Sequence, residues 1–265
     1  MTCELPSDRP ESATHLSAPR AYNKFLARLS GLADAVLPRT CGLCGLAFAG
    51  AGICPPCTRN LTGLDRARCP VCAGPVQPDL APNQACRDCP LNEQPIGTSC
   101  RITTLALADY AMPLDRMLLA AKRGNRPHLA RAVAASMARS LAGRQPAPAW
   151  PDLIIPVPLS DRRLRQRGFN QSALMAAVIA RTWGLPWHRN ALARVRDTPS
   201  QQGLNRPARL SNLVGAFRCA TDLTGRRVAL VDDVMTSGAT ARAGANALLQ
   251  AGASSVLVLV AARTP

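Results

Sequence analysis

Two constellations in the 265-residue chain carry chemistry by residue type and spacing. The first is Cys41-x2-Cys44, Cys54-x2-Cys57, Cys69-x2-Cys72 and Cys86-x2-Cys89, four pairs separated by nine, eleven and thirteen residues. A Cys-x2-Cys turn aims two thiolates at one metal ion, and two such turns complete a tetrahedral S4 set. Eight ligands therefore imply two Zn2+ ions. Sequential pairing is the simplest arrangement, with Cys41, Cys44, Cys54 and Cys57 on one ion and Cys69, Cys72, Cys86 and Cys89 on the other, as tandem zinc ribbons. The spacing leaves interleaved pairing open. An iron–sulfur cluster and metal-free redox cysteines are the alternatives to zinc. A saturated S4 site has no open coordination position, so both ions would be structural. Cys3, Cys100 and Cys219 stand outside the pairs and read as ordinary small residues.

The second constellation is "VALVDDVMTSGAT", Val228 to Thr240. An apolar strand runs into Asp232 and Asp233, then Val234 and Met235, then Thr236, Ser237, Gly238, Ala239 and Thr240 at the start of a helix. A strand, a short Gly-containing turn and a helix N-terminus together make an anion site, because unpaired amides and the positive end of the helix dipole converge there. The hydroxyls add donors, and Gly238 lets the backbone approach closely. The second glycine and the lysine of a Walker A loop are missing, as is the GxGxxG pattern of a dinucleotide loop. Two carboxylates facing a phosphate would repel it. They fit if they accept hydrogen bonds from sugar hydroxyls while the phosphate lies further along, which points to a ribose 5-phosphate moiety. The plain alternative is a helix cap after a strand-end turn.

The elements that must hold these groups follow from periodicity. Residues 1–21 are rich in Pro, Ser and charge and read as a disordered tail. Apolar residues at helical spacing from Tyr22 to Val36 predict an amphipathic helix over 22–37, ended by Pro38. Residues 38–100 are Pro- and Gly-rich without long periodic runs, a small module held by metal instead of a core. "ITTLALADY" predicts a strand, and "PLDRMLLAAKR" and "PHLARAVAASMARSLAG" predict two helices, the second with Pro127 in its first turn. "DLIIPVPLS" predicts a strand closing in a Pro-containing loop. "NQSALMAAVIARTWG" predicts a helix capped by Asn170 and stopped by Gly184. Arg194 to Asn212 is polar and aperiodic, which suggests a mobile loop. The Asp232 strand, a helix over Ala239 to Gln250 and the strand "SSVLVLVAA" complete the chain. Alternation of strands and helices over 101–265 predicts an α/β fold, a parallel sheet with helices on both faces. Ligands bind such sheets beyond the carboxyl ends of the strands, where the two aspartates fall.

Charge supports an anionic ligand. The net charge is +16, and Lys plus Arg against Asp plus Glu number 4 and 4 over 1–37, 5 and 4 over 38–100, and 23 and 8 over 101–265. A field of that sign favours nucleic acid or phosphorylated small molecules. Aromatic residues make up only 3% of the chain, too few for a base-stacking platform. No apolar run approaches the roughly 18 residues that span a bilayer, and the N-terminus lacks a signal pattern, so the expectation is a cytoplasmic protein without membrane insertion.

"VALVDDVMTSGAT" resembles the phosphoribosyl pyrophosphate (PRPP) loop of type I phosphoribosyltransferases. That resemblance implies that Asp232 and Asp233 hold the ribose 2′- and 3′-hydroxyls and that Thr236, Ser237, Gly238, Ala239 and Thr240 hold the 5-phosphate. The family often has Thr where Ser237 stands, and the hydroxyl is kept. A narrower resemblance covers nearly the whole chain. Four Cys-x2-Cys pairs, "LIIPVPLSDRRLRQRGFNQS", a Thr198/Gln201 loop leading to "RLSNLVGAF", and the PRPP loop, in that order, resemble the ComF (GntX-type) family of competence-associated proteins. The family pattern implies a double zinc ribbon joined to a type I phosphoribosyltransferase-like domain and a link to uptake or use of external DNA. The chain departs from it at "AAKRGNR", where an aromatic residue usually follows the lysine equivalent to Lys122.

Carried over, the resemblance places pyrophosphate, with Mg2+, against Arg162, Arg163, Arg165 and Arg167, whose guanidiniums suit bidentate phosphate contacts. The same arginines suit a nucleic-acid backbone or a solvated surface. The polar loop occupies the place of a flexible catalytic loop, which nominates Arg194, Arg196 and Arg206 around the leaving group. Two functions from different classes follow. One is a transferase moving a phosphoribosyl group from PRPP to an acceptor the sequence does not identify. The other is a non-catalytic competence factor that contacts single-stranded DNA or a helicase and uses the PRPP fold as a nucleotide sensor. The acceptor would be read by a hood over the sheet's carboxyl edge, from Ile102 to Arg123 and the cysteine module.

Overall fold

A computed structural model of the chain describes residues 39–76, 85–87, 89–91, 101–123, 126–142, 144, 150–196, 213 and 215–265. The expected tail and first helix, and Thr198, Gln201 and Arg206, lie outside the described residues. In chain order the elements are β1 (Arg39–Thr40), β2 (Ala47–Phe48), α1 (Pro55–Arg59), β3 (Ile102–Asp109), α2 (Leu114–Arg123), α3 (Pro127–Ala142) and β4 (Leu153–Pro156). Then come α4 (Asp161–Arg167), α5 (Gln171–Trp183), β5 (Leu192–Arg194), β6 (Phe217–Cys219), β7 (Arg227–Met235), α6 (Ala239–Gln250) and β8 (Ser255–Arg263).

The main sheet has the order β3-β8-β7-β4, and every pairing in it is parallel. Its two central strands are unbroken apolar runs, Val228–Val231 and Val256–Ala262, all buried, as strands covered on both faces must be. On one face Ala241, Ala245 and Leu248 of α6 pack over Val228, Leu230, Val256 and Val258. On the other, α2, α3 and α5 bring Met117, Met137, Leu141, Met175 and Ile179 against Ile154, Ala229, Val231 and Leu259. Helices therefore lie on both faces, as the alternating pattern predicts.

Among the described residues, the cysteine segment has no core of its own. Cys69, Val71, Cys72, Cys86 and Leu91 join the α6 face, whereas Cys41, Ile53, Cys54 and Leu61 join the face of α2, α3 and α5. A short Pro- and Gly-rich stretch cannot enclose enough apolar surface by itself. Burying a side chain such as Ile53 in the larger core stabilises by about 1.5–3 kcal/mol. Arg39–Pro265 accordingly makes one compact unit.

Three local features differ from the sequence expectation. The stretch Asp161–Arg167, which carries no predicted element, is a helix: Ser160 Oγ accepts the Arg163 N–H at 3.5 Å, and Gly168 ends it with φ 74°. Arg194 belongs to β5, which pairs antiparallel with β6 and is too short to show a period. Strand β7 continues to Met235, because β8 runs alongside it to Arg263, while β4 stops at Pro156 opposite Val231. Asp232 to Met235 thus have a strand neighbour on one side only, which opens the other edge to a site.

A candidate ligand loop and two metal centres

The end of β7 bends through Thr236, Ser237 and Gly238 into the twelve-residue helix α6. Gly238 is the helix cap with φ 76°, a left-handed conformation that disfavours a side chain, and a Cβ there would lie 3.2 Å from both Pro90 Cγ and Met235 Cε. The amides of Thr236, Ser237 and Gly238 donate to no backbone carbonyl among the described residues. Ser237 Oγ is buried and has no hydrogen-bond partner among the described residues. A buried hydroxyl without a partner is destabilising unless something polar fills the space beside it. The concavity at this turn is lined by Asp232, by Val234 to Ala241 and by Val260. Asp232 and all five predicted loop residues therefore share one hollow at a helix N-terminus.

The two aspartates part company. Asp232 lines the hollow and its Oδ1 accepts from Ser172 Oγ (3.0 Å) and from the Asp233 N–H (2.9 Å). Burial, with the neighbouring Asp233 charge adding to it, pushes the Asp232 carboxyl up to about 7. Asp233 is not part of the lining; its Oδ2 meets Lys122 Nζ of α2 at 2.7 Å. Sequence reasoning named Lys122 only as the family's lysine, within a segment expected over the sheet's carboxyl edge, and gave it no role; it did not name Ser172. A signal for Lys122 was available, since it is one of two lysines beside 30 arginines. Ser172 follows the Asn170 cap, whose Oδ1 accepts the Ser172 and Ala173 amides, and only the tertiary fold shows it reaching Asp232.

Helix periodicity divides the four arginines of α4. Arg163 and Arg167, four apart, are half-buried, whereas Arg162 and Arg165 are exposed. Burial lowers the Arg167 pKa, and the nearby Asp233 charge opposes that shift. Arg167 Nη1 also donates to Gln171 Oε1 at 3.4 Å. Of the four, Arg167 is the one near an aspartate, and Arg162 and Arg165 face solvent; none of the four lines the hollow itself. Arg194 sits with its guanidinium carbon 5.8 Å from the centre of the Phe217 ring and its Nε–H on the Arg196 carbonyl. Arg196 is exposed.

The cysteines form two sets, Cys41, Cys44, Cys54 and Cys57, and Cys69, Cys72, Cys86 and Cys89, with the four Sγ atoms of each set within 4.8 Å of one another. Pairing is sequential. Zn–S bonds of about 2.3 Å in a tetrahedron set S–S separations of roughly 3.8 Å, and the observed values include 3.9 Å for Cys44–Cys54, 3.9 Å for Cys69–Cys89 and 3.5 Å for Cys72–Cys86. The first cysteine of each set also collects amides. Cys41 Sγ accepts from Leu43 and Cys54 at 3.3 Å and Cys44 at 3.5 Å, and Cys69 Sγ accepts from Cys86 at 3.3 Å and Cys72 at 3.5 Å. Burial alone would raise Cys41, yet these amides bring it down to about 6. Burial pushes Cys57 and Cys86 up to about 12, so a bound cation is what would let all four thiols of a set ionise. The donor sets fit structural zinc.

A family profile described as double zinc ribbon domain matches residues 32–90. The chain is 36% identical over 236 residues to DNA utilization protein YhgH of Escherichia coli strain K12, covering 86% of this chain and 98% of that protein. It is 39% identical over 116 residues to Competence protein F of Haemophilus influenzae, covering 43% of this chain and 51% of that one. A crystal structure of adenine phosphoribosyltransferase from Leishmania tarentolae is 18% identical over 60% of this chain and 76% of that one with a TM-score of 0.34, a likeness too slight to argue from. No helix among the described residues is long and apolar enough to cross a membrane.

Proposed function

Since the chain belongs to the ComF family of DNA utilization and competence F proteins, we propose that it binds PRPP in the Asp232 hollow and transfers the phosphoribosyl group to an acceptor in the use of DNA taken up by the cell. The observation that carries this reading is the buried Ser237 hydroxyl, without a partner among the described residues, beside three amides that meet no backbone carbonyl among them, at the N-terminus of α6. That arrangement suits a phosphate monoester, which accepts several hydrogen bonds at once. Asp232, in the same hollow, accepts from a ribose hydroxyl. Asp233 is held by Lys122 and acts on the same sugar at closer range only if that ion pair opens.

Transfer breaks the bond between ribose C1 and the pyrophosphate oxygen. The electron pair leaves with pyrophosphate, the acceptor's lone pair forms the new bond to C1, and the acceptor releases a proton. Positive charge builds on the ribose in between, so placing carboxylates beneath the ring is the chain's contribution to the barrier. Mg2+ bound with PRPP supplies charge neutralisation on the leaving group. Arg163 and Arg167, on the inner side of α4, suit the pyrophosphate. Arg162 and Arg165, exposed on its outer side, support the second reading, contact with a DNA backbone, and the two readings coexist in one protein.

Isothermal titration of the zinc-loaded chain with PRPP and Mg2+ tests the site. Ser237→Ala should weaken binding about ten- to a hundredfold, as loss of a hydrogen bond to a charged group does, and Asp232→Asn should also weaken it. Wild-type protein that shows no heat with PRPP would overturn the proposal.

A further inference from the structure

Arg263, at the end of β8, is buried and bonds to oxygens of two separate segments and of its own neighbour Thr264. Its Nε donates to the Cys72 carbonyl at 3.0 Å, and its Nη1 donates to the carbonyls of Thr236 (2.7 Å) and Met235 (3.3 Å) and to Thr264 Oγ1 (3.0 Å). One guanidinium therefore spans from the second cysteine set to the turn that forms the hollow. No carboxylate pairs with it among the described residues; carbonyl and hydroxyl oxygens are its partners there. A second contact runs the same way, since Pro90, next to Cys89, packs against Gly238.

Peptide planarity gives this bridge a consequence. In a trans peptide the carbonyl of one residue and the amide of the next point in opposite directions. Holding the carbonyls of Met235 and Thr236 against Arg263 therefore turns the amides of Thr236 and Ser237 the other way, off the arginine. We infer that Arg263 is a positioning residue that sets the anion-binding shape of the Thr236–Gly238 turn, and that zinc in the second cysteine set, not the first, sustains that shape by fixing the Cys72 carbonyl and Pro90. The inference deepens the reading of the hollow as a phosphate site and rests on it for the ligand, though not for the mechanical coupling.

The first cysteine set supplies the control. Arg139 of α3 donates to the carbonyls of Ala51 and of Ile53 (2.7 Å), so it grips its own cysteine set from behind as Arg263 does, but all its partners lie in that segment or in α3.

The test uses the full zinc-loaded chain and two protected amides next to the turn, Arg242 N–H on Gly238 and Thr264 N–H on Met235. In Arg263→Gln, hydrogen exchange at both should speed at least tenfold while two zinc ions per chain are retained, and the Kd for PRPP with Mg2+ should rise at least tenfold. Arg139→Gln should leave both amides and the Kd within twofold. Arg263→Lys keeps the charge but cannot span both ends, so it should fall between wild type and Gln; it also decides the matter if Arg263→Gln fails to fold. The double variant Cys86→Ser, Cys89→Ser should speed the same amides, and the double variant Cys54→Ser, Cys57→Ser should not. Unchanged exchange in Arg263→Gln or Arg263→Lys, or equal acceleration in Arg139→Gln, overturns the inference. If wild-type protein binds no PRPP, the phosphate reading falls, and the exchange rates alone still decide the coupling.

Discussion

The two cysteine sets share a chemistry and differ in what stands behind them. Each has four thiols, amides converging on its first sulfur, and an arginine donating to its backbone. The first set rests on the face of α2 and α3, where Ile53 fills the core and its amide donates to Ser136 Oγ at 3.0 Å. The second rests on the α6 face, where Arg263 and Pro90 reach the turn after β7. Identical metal chemistry thus gives one brace for the scaffold and one for the ligand loop. Perturbing the first should move stability and spare binding; perturbing the second should move both.

The largest separation is expected from Gly52→Ala in the first set. Gly52 has φ 96°, and a Cβ there would stand 2.4 Å from the Ala132 carbonyl oxygen of α3. Backbone cannot yield as a flexible side chain does, so conformational strain and overpacking should together remove about 2–4 kcal/mol. Thermal unfolding would show this as a large drop in Tm. PRPP affinity, measured at a temperature where the variant is folded, should stay within twofold. A loss of affinity as large as that of Arg263→Gln would break the contrast between the two braces.

A middle-sized effect follows from Asp232, which the loop and α5 enclose. Its folded-state pKa, about 7, lies above the ordinary carboxylate value, so the folded chain holds that proton more tightly than the unfolded chain. Its contribution to stability is therefore fully present below about pH 4 and is lost as pH rises through about 7. Asp233→Asn removes a like charge, so the Asp232 midpoint should fall, yet remain above the ordinary range because burial persists. Carboxyl carbon shifts followed by NMR across pH 3–9 measure it directly. Arg139→Gln should leave the midpoint in place, and a midpoint near 4 in the wild-type protein would show that the hollow is wetter than its contacts indicate.

Legibility in the sequence followed distance along the chain. The cysteine pairs and the Asp232–Thr240 run were readable because their members are neighbours, so local turn and helix-start chemistry predicts their geometry. The parallel sheet was readable because Val228–Val231 and Val256–Ala262 are apolar throughout. Lys122, Ser172 and Arg263 were not, because each reaches the site from an element whose own pattern is explained by packing or capping. The roles of the four α4 arginines became separable only once the stretch proved helical, which put Arg163 and Arg167 on the inner side. Nothing in the spacing of the cysteines says which face of the sheet a set will cover.

The finest comparison uses one hydrogen bond on each side. Ser136, fully buried in α3, accepts the Ile53 amide of the first set, and Thr104, buried in β3, donates from Oγ1 to the Val71 carbonyl of the second at 2.6 Å. Ser136→Ala and Thr104→Val each remove one side-chain partner and leave a buried backbone group unsatisfied, at about 1–3 kcal/mol apiece. Both variants keep every cysteine, so zinc content should stay at two ions per chain, and urea midpoints should fall by similar amounts. Their effects on ligand should differ. Val71 lies directly before Cys72, whose carbonyl Arg263 holds, so loosening it should raise the Kd for PRPP two- to fivefold. Ile53 lies directly before Cys54 and has no such link, so Ser136→Ala should leave the Kd unchanged. Equal shifts in Kd at equal loss of stability would mean that binding follows global stability, and the division of labour between the two metal centres would not hold.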